Sequence, residues 1–286
     1  MQMIKLVASD LDGTIIDENH TIAKNNFGAI KAINDKNINF AICTGKTYPI
    51  IKDLCSQVNA NYGIFGNGNQ IVNLKTGEEI YRKLLTPEQI SSCLHTAKKY
   101  DLHIHLYTNE DVITERLMYM DLRNYELRER QFYNSSLEFI IVKDIEEYLK
   151  SHDVDICKLI ISSSENLDAV KKEISNIPDL SVNHINKRGK YRDTVINKEY
   201  EYLDITPKDT NKSNALAILG NYLNVNKSEI MSIGDGINDI EMVKNAGVGV
   251  AVANAYDELK QVAAYTTENP AGKGAFAEAV YKFIEF

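Results

Sequence analysis

The chain is short of the residues that mark the more specialised protein classes. It has no tryptophan, only five prolines and no low-complexity stretch, so neither a fibrous nor a disordered chain is expected. Its four cysteines (Cys43, Cys55, Cys93 and Cys157) stand far apart, with no CxxC and no Cys/His ligand spacing. That excludes a disulfide framework or a zinc site and fits idle thiols in a reducing compartment. No apolar run approaches the ~20 residues that span a bilayer. The apolar start, Met1–Val7, is too short for the h-region of a signal peptide. A cytoplasmic protein with no membrane partner is expected. A basic surplus is absent too: the net charge is −8, which argues against nucleic acid as a partner. An acidic chain that takes an anionic substrate must therefore supply a local cation, either a metal or a placed lysine.

What is present is ordinary globular composition, and 286 residues suffice for one large or two modest domains. Ile4–Ser9, Ile38–Cys43 and Gly63–Phe65 read as short buried strands, separated by helices over about Thr21–Asn37 and Tyr48–Val58. Strand and helix alternating in this way predict a parallel α/β sheet. Gln70–Leu74 and Glu79–Leu84 predict an appended hairpin. From Thr86 the crossover rhythm stops: a helix (Pro87–Tyr100) and strands at His103–Tyr107, Lys158–Ser162, Ser181–Ile185 and Arg192–Ile196 suggest an insertion, the last two pairing. After Asp204–Pro207 the rhythm resumes, with a helix over Asn211–Leu223, a strand at Ile230–Ile233 and a helix from Ile237. The expected architecture is α/β: a Rossmann-like parallel-sheet core (1–85 plus 199–286) with an inserted α+β cap domain (86–198).

Ligands of open α/β sheets bind beyond the carboxyl ends of the strands. Four polar clusters fall there: Asp10–Thr14, Thr44-Gly45, Asn67 and Asp235–Asp239. Lys212 opens the helix after the insertion. These residue types suit phosphoryl transfer. Asp10 and Asp235 can share a Mg²⁺, a hard cation that prefers carboxylate oxygens. Asp10 can attack phosphorus, and Asp12 can protonate the leaving alcohol and then activate water. Gly13 lets the backbone turn close to a phosphate. Thr44 brings a hydroxyl and Lys212 a positive charge. Asp239 can hold the Lys212 ammonium or orient a metal-bound water, with Asn238 in the metal shell. At the first position of a helix, Lys212 is expected to matter for catalysis more than for folding. Taken singly, each cluster has an ordinary explanation as a solvated turn or loop. Their joint occurrence, each after its own strand, does not.

The strings DLDGT (Asp10–Thr14), Thr44-Gly45, Lys212 in PKDTNKSNAL and GDGINDIEM (Gly234–Met242) resemble the haloacid dehalogenase superfamily, in its Cof-type sugar-phosphatase branch with a large cap. Gly66-Asn67-Gly68 and Asn269 look like lesser signatures of the same branch. The likeness spans essentially the whole chain. It implies that Asp10 is nucleophile and metal ligand, and that Asp12 is acid/base and a ligand through its carbonyl. It makes Asp235 a further ligand, with Asn238 and Asp239 completing the site. The chain departs from that pattern in Lys46, where Arg is frequent, in Ser213 after Lys212, and in Pro270-Ala271.

The expected activity is Mg²⁺-dependent hydrolysis of small phosphorylated metabolites. Gly13, Gly45 and Asn67 are expected beside the substrate, and Arg188 and Arg192 of the insertion against its non-phosphate part. Sugar phosphates, nucleotides, flavin mononucleotide and pyridoxal phosphate all fit these motifs. His103 and His105 share one strand face without an evident third ligand, so ordinary strand histidines are expected. Two rival readings stand beside the hydrolase: a phosphotransferase or phosphomutase on the same core, and a catalytically silent sugar-phosphate-binding regulatory protein. An intact Asp10, Asp12 and Asp235 set speaks against the second, since a pure binder needs no general acid.

Overall fold

Strand β1 (Leu6–Ser9) has no exposed residue, because parallel strands are covered on both faces. The computed structural model describes residues 3–19, 21–116, 138–163, 167–186 and 201–286. Within them the chain forms two compact units. The first takes the chain up to Lys46, then Lys52–Arg82 and Asn211–Phe286. In it β1, β2 (Asn39–Cys43) and β3 (Tyr62–Phe65) run parallel, linked along the chain by helices α1 (Lys24–Asp35) and α2 (Tyr48–Gln57), of which α2 belongs to this unit from Lys52 on. The hairpin β4 (Gln70–Asn73) and β5 (Glu79–Arg82) adds antiparallel strands beside β3.

The second unit comprises Lys83–Thr210 and Thr47–Ile51. Its sheet holds β6 (His103–Tyr107), β7 (Asp111–Thr114), β8 (Glu138–Ile141), β9 (Lys158–Ser163), β10 (Leu180–Asn186) and β11 (Glu201–Pro207) in the order β10-β11-β9-β6-β7-β8. One face of it, with Ile104, Leu106, Leu159, Ile161, Leu203 and Ile205, packs a core with helix α3 (Pro87–Lys99). A capping box between Thr86 and Gln89 starts that helix. Among the described residues the unit also has the short helices α4 (Ile145–Ser151) and α5 (Asp168–Ile174). One reading changes here and another falls outside the described residues. The described antiparallel partner of β10 is β11, with Val182 opposite Ile205, while the strand expected at 192–196 lies outside the described residues. Residues 201–207, which the expected boundary at 199 placed with the core, form β11 and belong to this sheet. His105 is buried at the middle of β6, and burial pushes its pKa down to about 4.

Asn211 caps helix α6 (Lys212–Tyr222), accepting from the Asn214 amide, and the first unit resumes. Strand β12 (Ile230–Gly234) pairs with β1, and β13 (Val248–Ala251) and β14 (Tyr265–Thr266) extend outward. The sheet order is β14-β13-β12-β1-β2-β3-β4-β5. Helices α7 (Ile240–Asn245), α8 (Asp257–Val262) and α9 (Ala275–Phe283) follow. Phe276 of α9 meets Phe40 of β2 at 5.5 Å between ring centroids, both fully buried. Each such ring stabilises the core by about 1.5–3 kcal/mol. Successive strands run one way from β1 and the other way from β12. The topological switch point lies between those two strands, where crevices open in such sheets.

Candidate active site

Two aspartates leave adjacent strand ends at the switch point. Asp10 follows β1 and Asp235 follows β12, with Ser9 opposite Ile233, and the Asp10 amide donates to the Ile233 carbonyl at 2.9 Å. Close approach of the two loops depends on Gly13. Its φ is +81°, and a Cβ there would lie 2.4 Å from Asp235 Oδ2. The Thr14 hydroxyl stands 3.4 Å from Asp10 Oδ2 and 3.3 Å from Asp235 Oδ1. With one proton it donates to only one of them at a time.

Lys212 enters from the first turn of α6. Its ammonium lies 2.5 Å from Asp10 Oδ1 and 2.7 Å from Asp239 Oδ1. Only 1% of its side chain is exposed, which corrects the expectation of a lysine without a structural role. Asp239 is fully buried. Its Oδ1 accepts from Lys212, and its Oδ2 accepts from the amides of Asp235 and Gly236 at 3.1 and 2.9 Å. Both oxygens are thus engaged in orienting the lysine and closing the turn. That turn is why Ile237–Asp239 begins as a 3-10 turn and the α-helix starts only at Ile240.

A second tier comes from the loops after β2 and β3. Thr44 is buried, and its hydroxyl accepts from the Lys46 amide at 3.1 Å. The Asn67 amide donates to the Thr44 carbonyl and the Gly66 amide to the Lys46 carbonyl, both at 2.9 Å. Gly45 lets the loops meet, since a Cβ there would sit 3.1 Å from the Asn67 side chain. Asn238, expected in the metal shell, is exposed, and its amide donates to Asn67 Oδ1 at 3.0 Å. Lys46 Nζ reaches Asp12 Oδ2 at 2.8 Å. Arg188 and Arg192 lie outside the described residues. The side chain of Asn269 is committed to Glu278, 2.8 Å away.

Burial raises the pKa of Asp10 well above the ordinary carboxylate value; Lys212 opposes this, while Asp239, Asp235 and Asp12 add to it. Asp235 is pushed up to about 6, first by burial and then by Asp239. For Lys212 burial acts downward, but attraction to Asp10 and Asp239 outweighs it and holds the ammonium charged. Among the described residues four carboxylates (Asp10, Asp12, Asp235 and Asp239) face two ammoniums, Lys46 and Lys212. Fully ionised, the set carries two surplus negative charges, which one divalent cation balances. Carboxylate oxygens of Asp10, Asp235 and Asp239 lie within 4.8 Å of one another. An all-oxygen set with this charge fits a hard divalent cation.

Two contributions escaped the sequence reading. Thr14 links both carboxylates. Asn254 holds the loop itself: its Nδ2 donates to the Gly13 carbonyl at 2.8 Å and its Oδ1 accepts from the Ala271 amide at 2.9 Å. Its place just beyond the carboxyl end of β13 was the available signal.

The family described as haloacid dehalogenase-like hydrolases matches residues 7–280. The putative phosphatase M6_Spy0533 of Streptococcus pyogenes serotype M6 is 28% identical over 285 residues, covering 98% of each chain. The 5-amino-6-(5-phospho-D-ribitylamino)uracil phosphatase YcsE of Bacillus subtilis is 25% identical, covering 98% of this chain and 96% of its own. Among solved structures, the phosphatase BT1666 of Bacteroides thetaiotaomicron superposes with a TM-score of 0.79 at 26% identity, over 98% of this chain and 95% of that one. No helix among the described residues is long and apolar enough to cross a membrane.

Proposed function

The chain belongs to the haloacid dehalogenase-like hydrolases, and we propose that within them it is a Mg²⁺-dependent phosphatase of small phosphorylated metabolites, acting through an aspartyl-phosphate on Asp10. One observation carries this reading: the Asp10 carboxylate stands at the switch point with one oxygen on the buried Lys212 and the other beside Thr14 and Asp235. The named phosphatases among its relatives support it.

Asp10, Asp235 and the Asp12 carbonyl would hold the metal. When bound, Mg²⁺ supplies charge neutralisation to the phosphoryl oxygens. In the first step an Asp10 oxygen forms a bond to phosphorus while the bond to the substrate oxygen breaks. The bond pair stays on that oxygen, which takes the Asp12 proton and leaves as an alcohol. In the second step Asp12, now a carboxylate, takes a proton from water. The water oxygen bonds to phosphorus, the Asp10–phosphorus bond breaks, and inorganic phosphate leaves. Lys212 neutralises charge on the transferring group, and Asp239 keeps it aimed.

The test is phosphate release from a panel of phosphorylated metabolites with Mg²⁺ present, repeated in excess chelator and with Asp10→Asn. Release that needs both the metal and Asp10 is the expected result. An isomerised sugar phosphate without free phosphate would favour the mutase reading instead, and full turnover in chelator would remove the metal.

A further inference from the structure

Among the described residues the site contains two ammoniums, and the two chemical steps use only Lys212. Lys46 sits two residues beyond Thr44 on a loop pinned at both of its own backbone groups. Its amide donates to Thr44 Oγ1, and its carbonyl accepts from Gly66. From that loop the side chain reaches Asp12, with Nζ 2.8 Å from Oδ2. The lysine is the more enclosed partner, with 17% of its side chain exposed against 40% for Asp12. Asp12 belongs to a loop that Gly13 and Asn254 shape from the other side. Acid/base transfer by Asp12 succeeds only within hydrogen-bond reach of the reacting oxygen, so a contact that orients its carboxylate bears on both steps.

We propose that Lys46 is a positioning residue that fixes the Asp12 carboxylate for both proton transfers. The proposal rests on the phosphatase reading and deepens it. The two cations then have separate roles, Lys212 serving the nucleophile Asp10 and Lys46 serving the acid/base Asp12. Two consequences distinguish such a residue from a lysine that grips substrate or merely supports the loop. The loss in the first step on removing Lys46 must depend on the leaving group, because a phenolate leaves without a proton and an alkoxide does not. It must also vanish when Asp12 is already disabled.

The experiment compares wild type with Lys46→Met, Lys46→Arg, Asp12→Asn and the Lys46→Met/Asp12→Asn double variant. For each, kcat and KM are measured on an alkyl phosphate that the wild type hydrolyses and on p-nitrophenyl phosphate, with thermal midpoints alongside. Lys46→Met should lower kcat on the alkyl phosphate by roughly 10- to 100-fold, a share of what general acid–base catalysis supplies, with KM near the wild-type value. On the aryl phosphate it should show a burst of phenol and aspartyl-phosphate mass on the Asp10 peptide, because the second step still needs Asp12. Lys46→Arg should recover most of the rate. In the Asp12→Asn background Lys46→Met should cost nothing further, the mark of two residues acting as one unit.

A raised KM with unchanged kcat would overturn the proposal in favour of a substrate-binding cation. Multiplicative losses in the double variant, or absence of the phenol burst with a lowered thermal midpoint, would overturn it in favour of an independent or structural lysine. If Lys46→Met does not fold, Lys46→Gln takes its place in the same comparison. A wild type that releases no phosphate from any substrate and forms no aspartyl-phosphate would overturn the phosphatase reading and this proposal together.

Discussion

Lys212 Nζ lies 2.7 Å from Asp239 Oδ1, and the other oxygen of that carboxylate is filled by the amides of Asp235 and Gly236. The lysine that meets Asp10 is therefore held from behind by the turn that carries Asp235. One hydrogen-bonded chain joins three of the five polar clusters, so stability and catalysis are coupled at this point.

Asp239→Ala should lower the unfolding free energy by about 3–5 kcal/mol, as expected when one partner of a buried ion pair is removed. Urea denaturation measures it. Lys212→Met should slow turnover by about 10²–10³-fold, the usual cost of losing one transition-state donor. It should also destabilise the fold, and more at pH 7.5 than at pH 5, because burial raises the Asp10 pKa and the protonated form, favoured at the lower pH, has no charge left unpaired. A stability equal to wild type at pH 7.5 would return Lys212 to a purely catalytic role.

The raised pKa of Asp235 gives the metal-free protein an unusual pH response. Between its unfolded value of 3.8 and about 6, the folded state binds more protons than the unfolded state. The contribution is therefore fully present below 3.8 and lost as pH rises through about 6. In chelator, raising the pH from 5 to 7.5 should cost wild type more stability than Asp235→Asn, which lacks the group. Added Mg²⁺ should reduce or reverse that difference, because the cation favours the ionised carboxylates. Thermal midpoints of the two proteins, with and without metal, test the sign.

The strand-ending motifs were legible because each follows a short buried β-branched run. DLDGT after IKLVAS and GDGIND after IMSI announce their places locally. What brings them together is not local: β12 pairs with β1 across an interval of more than two hundred residues. The burial of Lys212 was not legible, since a lysine at a helix start reads as solvated until Asp10 and Asp239 are known to enclose it. The four-residue strands DVIT (Asp111–Thr114) and EFII (Glu138–Ile141) were missed because each is too short for a period to show. Strand β11 was not foreseen, and the domain boundary fell before it, because its place is set by pairing with β9 and β10, which its own sequence does not state.

Asn254→Ala should act through Gly13. Removing its amide frees the Gly13 carbonyl and the Ala271 amide together. The loop carrying Asp10 and Asp12 then loses a fixed point, and small displacements of reacting groups are costly. A loss of about tenfold in kcat is expected, with little change in thermal midpoint, because the residue is exposed. An unchanged kcat would show that Gly13 is held well enough by its own amide, which donates to the Ile16 carbonyl at 2.7 Å.

The role of Asp12 admits the sharpest test, because it separates a hydrolase from a binder that merely retains the motif. An acyl phosphate forms on Asp10 only if the departing alkoxide receives a proton, and it breaks down quickly only if a base activates water. Asp12→Thr removes both services while keeping a small polar side chain at the position. Turnover of alkyl phosphates should fall by about 10²–10⁴-fold, the usual contribution of general acid–base catalysis. With p-nitrophenyl phosphate the first step needs no acid, so it should proceed and stop at the phosphoenzyme. One equivalent of phenol per active site should appear in a burst, with the mass of a phosphoryl group on the Asp10 peptide. Asp10→Asn should give neither. If Asp12→Thr hydrolysed both substrates at the wild-type rate, another group would have to carry the proton. Lys46 would then be the first to examine, since it is the charged side chain that reaches Asp12 at 2.8 Å.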